Sequence, residues 1–245
     1  LKGTDSAVSD GSYYLSRDVE LNQPVTFSGT ATLCLNGYTL SCGSDKVITV
    51  DGTLTICDCA DGGKIEATDR ANFAINVERN GTLNVEGGTI CGGSRGISGS
   101  SNSEINISGG KIQKSASSRY KALELTGTTA TITGGTITGG VELMRSSELS
   151  LGGTPAVDTI KLTHKSCSIN ATAANEAYSG EPITIDYGNL DYSDGTAIVS
   201  GVTEENFGKF NVTAPEGMVV KLEENGNLVF GEPESEPGHS HDGDD

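Results

Sequence analysis

The chain has 245 residues, a net charge of −17, six cysteines, three histidines, no tryptophan and 34% hydrophobic residues. That charge excludes a general nucleic-acid role, because phosphate binding needs a basic face, and it favours a soluble monomer. A hydrophobic share this small makes a thin core for a conventional globule, and no apolar run approaches the ~18 residues of a membrane span.

The first residues, LKGTDSAVSD, include no initiator Met and no signal peptide, which suggests a processed or excised piece of a longer protein. Residues 11–31, GSYYLSRDVELNQPVTFSGTA, read as an opening rung with Val19, Leu21, Val25 and Phe27 inward. Its edge needs a cover, and residues 1–10 are the candidate.

From residue 32 the chain repeats itself. TLCLNGYTL (32–40), TLTICDCADGGKI (53–65), TLNVEGGTI (82–90), EINISGGKI (104–112), TATITGGTI (129–137) and ELSLGGTPAV (148–157) share one grammar. Their first core residues, Leu33, Leu54, Leu83, Ile105, Ala130 and Leu149, are separated by 21, 29, 22, 25 and 19 residues. A repeat of that length is one unit that must stack on its neighbours to bury its apolar face.

Within each copy the apolar residues alternate, which is the period of a strand. A second short strand follows at Ile90, Ile112 and Ile137, and a third at Ala74–Val77, Ala122–Leu125 and Val141–Leu143. Three short strands per repeat with glycine-rich turns describe one rung of a parallel β-helix, stacked at roughly 4.8 Å. The 34 glycines, about twice the usual share of ~7%, fit turns with positive φ and crowded backbone between rungs. Gly87-Gly88, Gly109-Gly110, Gly134-Gly135 and Gly152-Gly153 are the recurring pairs.

After residue 155 the double glycines stop, yet short strands continue. Two or three terminal rungs plus a cap are expected, with a small separate β domain as the alternative. The β-helix then occupies residues 1–230. Residues 231–245, GEPESEPGHSHDGDD, read as an acidic disordered linker.

The run YYLSRDVELNQPVTFSGTATLCLNGYTL, followed by TLTICDC and the GGTI steps, resembles the right-handed β-helix regions of large secreted or wall-attached proteins of gut-type anaerobic bacteria. These are relatives of the pectate-lyase-like superfamily, often described as adhesin-like or carbohydrate-binding. The resemblance covers residues 11–160 well and the rest loosely. It implies an all-β, single-stranded, right-handed parallel β-helix. It leaves function open, because the superfamily holds lyases, hydrolases, tailspikes and non-enzymatic stalks.

Five groups of residues are candidates for chemistry. Glu124 and Glu142 share one phase of the third strand in adjacent rungs, a spacing that suits a retaining glycosidase; the alternative is two solvated surface acids. Asp186, Asn189, Asp191 and Asp194 offer hard oxygen ligands for calcium, although the same residues build tight turns. The tail residues His239, His241 and Asp242 are weak transition-metal candidates. Cys57-Asp58-Cys59 invites a metal reading, but thiolate zinc sites favour C-x2-C pairs. Free thiols, disulfides between neighbouring rungs and a metal site all stay open for the six cysteines, with Cys34 and Cys57 expected on the outer surface.

The last group is a basic row. Arg70, Arg95 and Arg119, with Lys114 and Lys121, fall in the connectors of three successive rungs and should line up on one edge of the prism. Phe73 and Tyr120 could stack on a sugar ring there. The leading expectation is a secreted or cell-surface adhesin-like module, without a cofactor or resident metal, binding a carbohydrate or host-surface polymer through Arg70, Arg95, Arg119, Tyr120 and Lys121. A polysaccharide lyase or hydrolase is the alternative, and a rigid stalk without ligand the third. Nucleic-acid binding and membrane insertion are not expected.

Overall fold

A computed structural model describes residues 1–69 and 73–233. It is an all-β, right-handed parallel solenoid of about nine turns, each of about 23 residues. One 3-10 turn, Phe207–Lys209, is the only helical piece among the described residues.

Three parallel sheets make the faces of the prism. Face A runs through ten strands from Ala7–Val8 to Phe210–Val212, face B through eight from Gly11–Tyr14 to Ser168–Asn170, and face C through seven from Val19–Leu21 to Ala156–Val157. Each strand pairs with its equivalents in the neighbouring rungs. The inward residues therefore form columns: Leu54, Leu83, Ile105, Ala130 and Leu149 on face B, and Leu40, Ile65, Ile90, Ile112, Ile137 and Val157 on face C. Ile48, Ile75, Ile97, Leu123, Val141 and Ile160 form the column on face A. All are buried, and each Leu or Ile removed from water contributes roughly 1.5–3 kcal/mol.

The register corrects one alignment. Ala31, not Leu33, stands over Leu54, and Leu33 stands over Ile56. A slip of two residues leaves every inward side chain inward, so the hydrophobic pattern cannot detect it.

The double glycine has two separate causes. A Cβ at Gly109 would stand 2.2 Å from the Glu86 carbonyl oxygen of the rung before, so only glycine fits. Gly110 has φ +77°, a conformation that side chains resist. Outside the prism, polar side chains also stack: Asn106 donates to Asn84, and Asn84 to Thr55. At the inner corner leading into face B, buried Ser103, Thr128 and Ser147 satisfy one another and the Leu125 and Met144 carbonyls.

The ends differ from the middle. Val19, Leu21, Val25 and Phe27 are inward as expected, and Ala7–Val8 adds a first strand to face A beside Val25–Phe27. After residue 155, Thr159–Leu162, Ile183–Asp186 and Phe210–Val212 carry face A onward. An antiparallel hairpin, Val219–Leu222 with Leu228–Gly231, buries Leu228, Val229 and Phe230. The acidic linker, apart from residues 231–233, lies outside the described residues.

Candidate functional site

The outer side of face A carries a register column of Thr49, Asn76, Ser98, Glu124, Glu142, Lys161 and Asp186. Glu124 and Glu142 are side by side on adjacent rungs, as the sequence predicts. Each is claimed by a different cation. Glu124 accepts from Arg95 Nε at 2.5 Å, with both side chains about 85% buried (15% and 13% exposed), and Glu142 accepts from Lys161 Nζ at 2.8 Å. The Glu142 hydrogen bond and charge, despite some desolvation and with help from Asp186, hold the Lys161 ammonium above its ordinary range.

Arg95 is the centre of a larger cluster, whose form follows from unequal connectors. Only Gly93 and Ser94 separate the face C strand Thr89–Gly92 from Arg95–Gly99, so Arg95 opens the face A strand instead of standing in a loop. In the next rung residues 115–122 separate Lys111–Lys114 from Leu123–Thr126, and this longer loop folds back. Ser118 Oγ donates to the Ser94 carbonyl at 2.8 Å, Lys114 Nζ to the Ser118 carbonyl at 2.8 Å, and Tyr120 N–H to Ser118 Oγ at 3.2 Å.

Pinned in this way, the loop lays Tyr120 against Arg95. The guanidinium carbon is 3.8 Å from the Tyr120 ring centroid and 5.1 Å from that of Phe73, its register partner in the preceding rung. Arg119 stands 5.3 Å from the Tyr120 ring and donates to its hydroxyl at 3.4 Å. The Arg119 hydrogen bond and charge, with the Arg95 charge, hold the Tyr120 phenol below its usual range. Phe73, Ser94, Arg95, Ser117, Arg119 and Tyr120 line an open concavity of about 480 Å³.

Of the expected basic row, Arg95 and Arg119 come together as a clasp. Arg95 is a strand residue, Arg119 is a loop residue that meets it through Tyr120, and Lys121 extends against Gly140 without lining the concavity. Arg70 lies outside the described residues. Sequence spacing cannot show that a loop of eight residues turns back over the rung before it.

The calcium candidates do not converge. Asp186 accepts from Gly188 N–H, Asp191 from Ser193 and Asp194 from Thr196, each closing its own turn, and Asp194 also pairs with Lys165 at 2.7 Å. A second concavity, of about 470 Å³, has Asp186 as its single charged lining residue. His239, His241 and Asp242 lie outside the described residues.

All six cysteines are free thiols. Cys42 and Cys167 are buried in the prism, and Cys167 donates to the Arg145 carbonyl. Cys34 and Cys57 are half-exposed, as expected, and stand in register one rung apart. Together with Cys59 they bring three sulfur atoms within 4.8 Å of one another, the only such group of ligand atoms among the described residues. Sequence reading missed this group, although its signal was present: two outward cysteines of the same phase, one repeat apart.

Compared with family models, curated proteins and solved structures, the chain matches none. The geometry alone carries the functional argument. Among the described residues no helix is long and apolar enough to cross a membrane.

Proposed function

We propose that the chain is a non-enzymatic module of a secreted or cell-surface protein that binds an anionic glycan in the Arg95–Tyr120 clasp. One observation carries the reading. Between residues 28 and 177 the chain has three aromatic side chains, Tyr38, Phe73 and Tyr120, and two of them meet at one guanidinium in a concavity of about 480 Å³. Aromatic faces suit sugar rings, and the exposed Arg119 fork suits a carboxylate or sulfate held through two hydrogen bonds. With a net charge of −17 the remaining surface repels such a polymer, which confines it to this cleft.

The carboxylates favour binding over cleavage. A retaining glycosidase needs two carboxyls free to face the scissile bond, whereas Glu124 is held by Arg95 and Glu142 by Lys161.

A glycan array of carboxylated, sulfated and neutral polymers, read at low and high salt, tests the proposal. Anionic glycans should bind, salt should weaken them, and Arg119→Ala should cost at least about tenfold while Arg119→Lys costs less. Binding that Arg119→Ala leaves unchanged, an array without positives, or release of reducing ends or unsaturated products from a bound glycan would each sink it.

A further inference from the structure

We infer that Cys34, Cys57 and Cys59 form a thiolate site for one thiophilic divalent cation, of which Zn²⁺ is the representative. The site lies where face B turns into face C, on strands that do not contribute to the Arg95 clasp, and it does not depend on the glycan proposal.

Its geometry comes from the repeat. Cys34 and Cys57 end the face B strands Thr30–Cys34 and Thr53–Cys57 and are direct register partners, so their side chains leave the sheet in parallel, roughly 4.8 Å apart. The third sulfur is placed by Asp58. Its carboxylate accepts from Gly37 N–H of the preceding rung at 2.8 Å and from Gly63 N–H of its own at 2.7 Å, which clamps the corner on both sides. Gly63 has no room for a side chain, since a Cβ there would lie 2.5 Å from Leu35 Cβ and 2.6 Å from Asp58 Oδ1. The clamped turn brings exposed Cys59 back to the pair, and all three sulfurs lie within 4.8 Å.

A metal uses this arrangement better than a disulfide does. Zn–S bonds of about 2.3 Å place sulfurs ~3.8 Å apart in a tetrahedral site, a contraction that rotation of three Cys side chains supplies. In-register Cβ atoms at roughly the strand spacing are too far apart for an unstrained disulfide, which prefers about 3.5–4.5 Å. A disulfide would also strand one of the three thiols. Three sulfur ligands select soft or borderline cations over calcium or magnesium.

Binding replaces three S–H bonds by three S–metal bonds and releases three protons, so affinity rises with pH. The fourth position, beside exposed Cys59, is left to water or an exchangeable ligand.

The test is an anaerobic titration of the whole reduced chain with Co²⁺, followed by Zn²⁺. One equivalent of Co²⁺ should produce thiolate-to-metal charge-transfer absorption, and Zn²⁺ should remove it. Cys59→Ser and Cys34→Ser, each checked for unchanged circular dichroism, should weaken Zn²⁺ binding at least ~10-fold, while Cys91→Ser leaves it unchanged. The proposal is overturned if cobalt binds without the thiolate band, as at the tail histidines, or if Cys59→Ser and Cys34→Ser both bind as the parent does. It is equally overturned if Cys91→Ser abolishes the band, or if peptide mapping finds a disulfide among the three thiols that re-forms in air with Zn²⁺ present.

Discussion

The middle and the ends of this prism use different interiors. Between residues 28 and 177 no aromatic side chain is buried, and the columns hold Ile, Leu, Val and Ala. At the ends the pattern reverses: Phe27 is buried at one, and Tyr178, Tyr192, Phe210 and Phe230 at the other. The rung spacing explains the contrast. A side chain stacked on its equivalent every ~4.8 Å has room for one aliphatic group, whereas an open end must be filled by bulk from one direction. An aromatic residue in the middle therefore points outward, which is why Phe73 and Tyr120 were available to Arg95.

The contrast breaks most visibly in the middle. Leu83→Asp or Ile105→Asp should abolish cooperative folding in circular dichroism, at a cost of roughly 5 kcal/mol or more from lost packing and an unpaired buried charge. A normally melting Leu83→Asp protein would mean that the column does not hold the rungs together. Phe230→Ala, at the end, should cost about 3–5 kcal/mol. Hydrogen exchange should then open residues 155–230 first and leave 53–151 protected. Simultaneous exchange of both regions would show that middle and end fold as one unit.

Smaller effects separate the two arginines of the clasp. Arg95→Ala leaves Glu124 largely buried without its partner and should cost about 1–3 kcal/mol in denaturant melts, while exposed Arg119→Ala should leave the melt unchanged. Equal losses would put the support of the clasp in the loop instead of the ion pair. Tyr192, 1% exposed, has a hydroxyl without a hydrogen-bond partner among the described residues. Tyr192→Phe should therefore hold or raise stability, by up to ~1 kcal/mol. A clear loss would reveal a partner for that hydroxyl.

The smallest effect is in pH. Hydrogen bonds from Lys165 and then Thr196 hold the exposed Asp194 carboxyl well below its ordinary value. A depressed carboxyl contributes stability above the unfolded value of about 3.9 and loses it as pH falls toward the folded one. Melting temperature should thus drop slightly more below pH ~4 in the parent than in Asp194→Asn. Parallel curves would show that this turn adds nothing to the terminal region.

Much of the fold was legible because a solenoid writes its long-range contacts as a local period. Leu83 over Ile105 and Glu124 over Glu142 were both readable from phase alone. The phase failed at Ala31, where a small inward residue was passed over for Leu33. That slip had a cost elsewhere, since it set Cys34 opposite Thr55 and hid its partner Cys57. The clasp was less legible for a different reason. Arg95 and Tyr120 meet because Ser118 ties a loop to the Ser94 carbonyl, and a side chain to backbone bond across 24 residues leaves no periodic trace.

The staggered C-terminal end has a consequence for polymer growth. Beyond Ser168–Asn170 the next bridge, Asn170 with Ser200, is parallel, and the one after it, Val199 with Leu228, is antiparallel. The chain thus reverses its own polarity at the last step of face B. A fibre built by translating one copy onto the next needs the same polarity at its tail as at its head, where Gly11–Tyr14 presents a parallel edge. At this face the described spiral closes on an antiparallel bridge, which offers a further parallel rung no edge of matching direction.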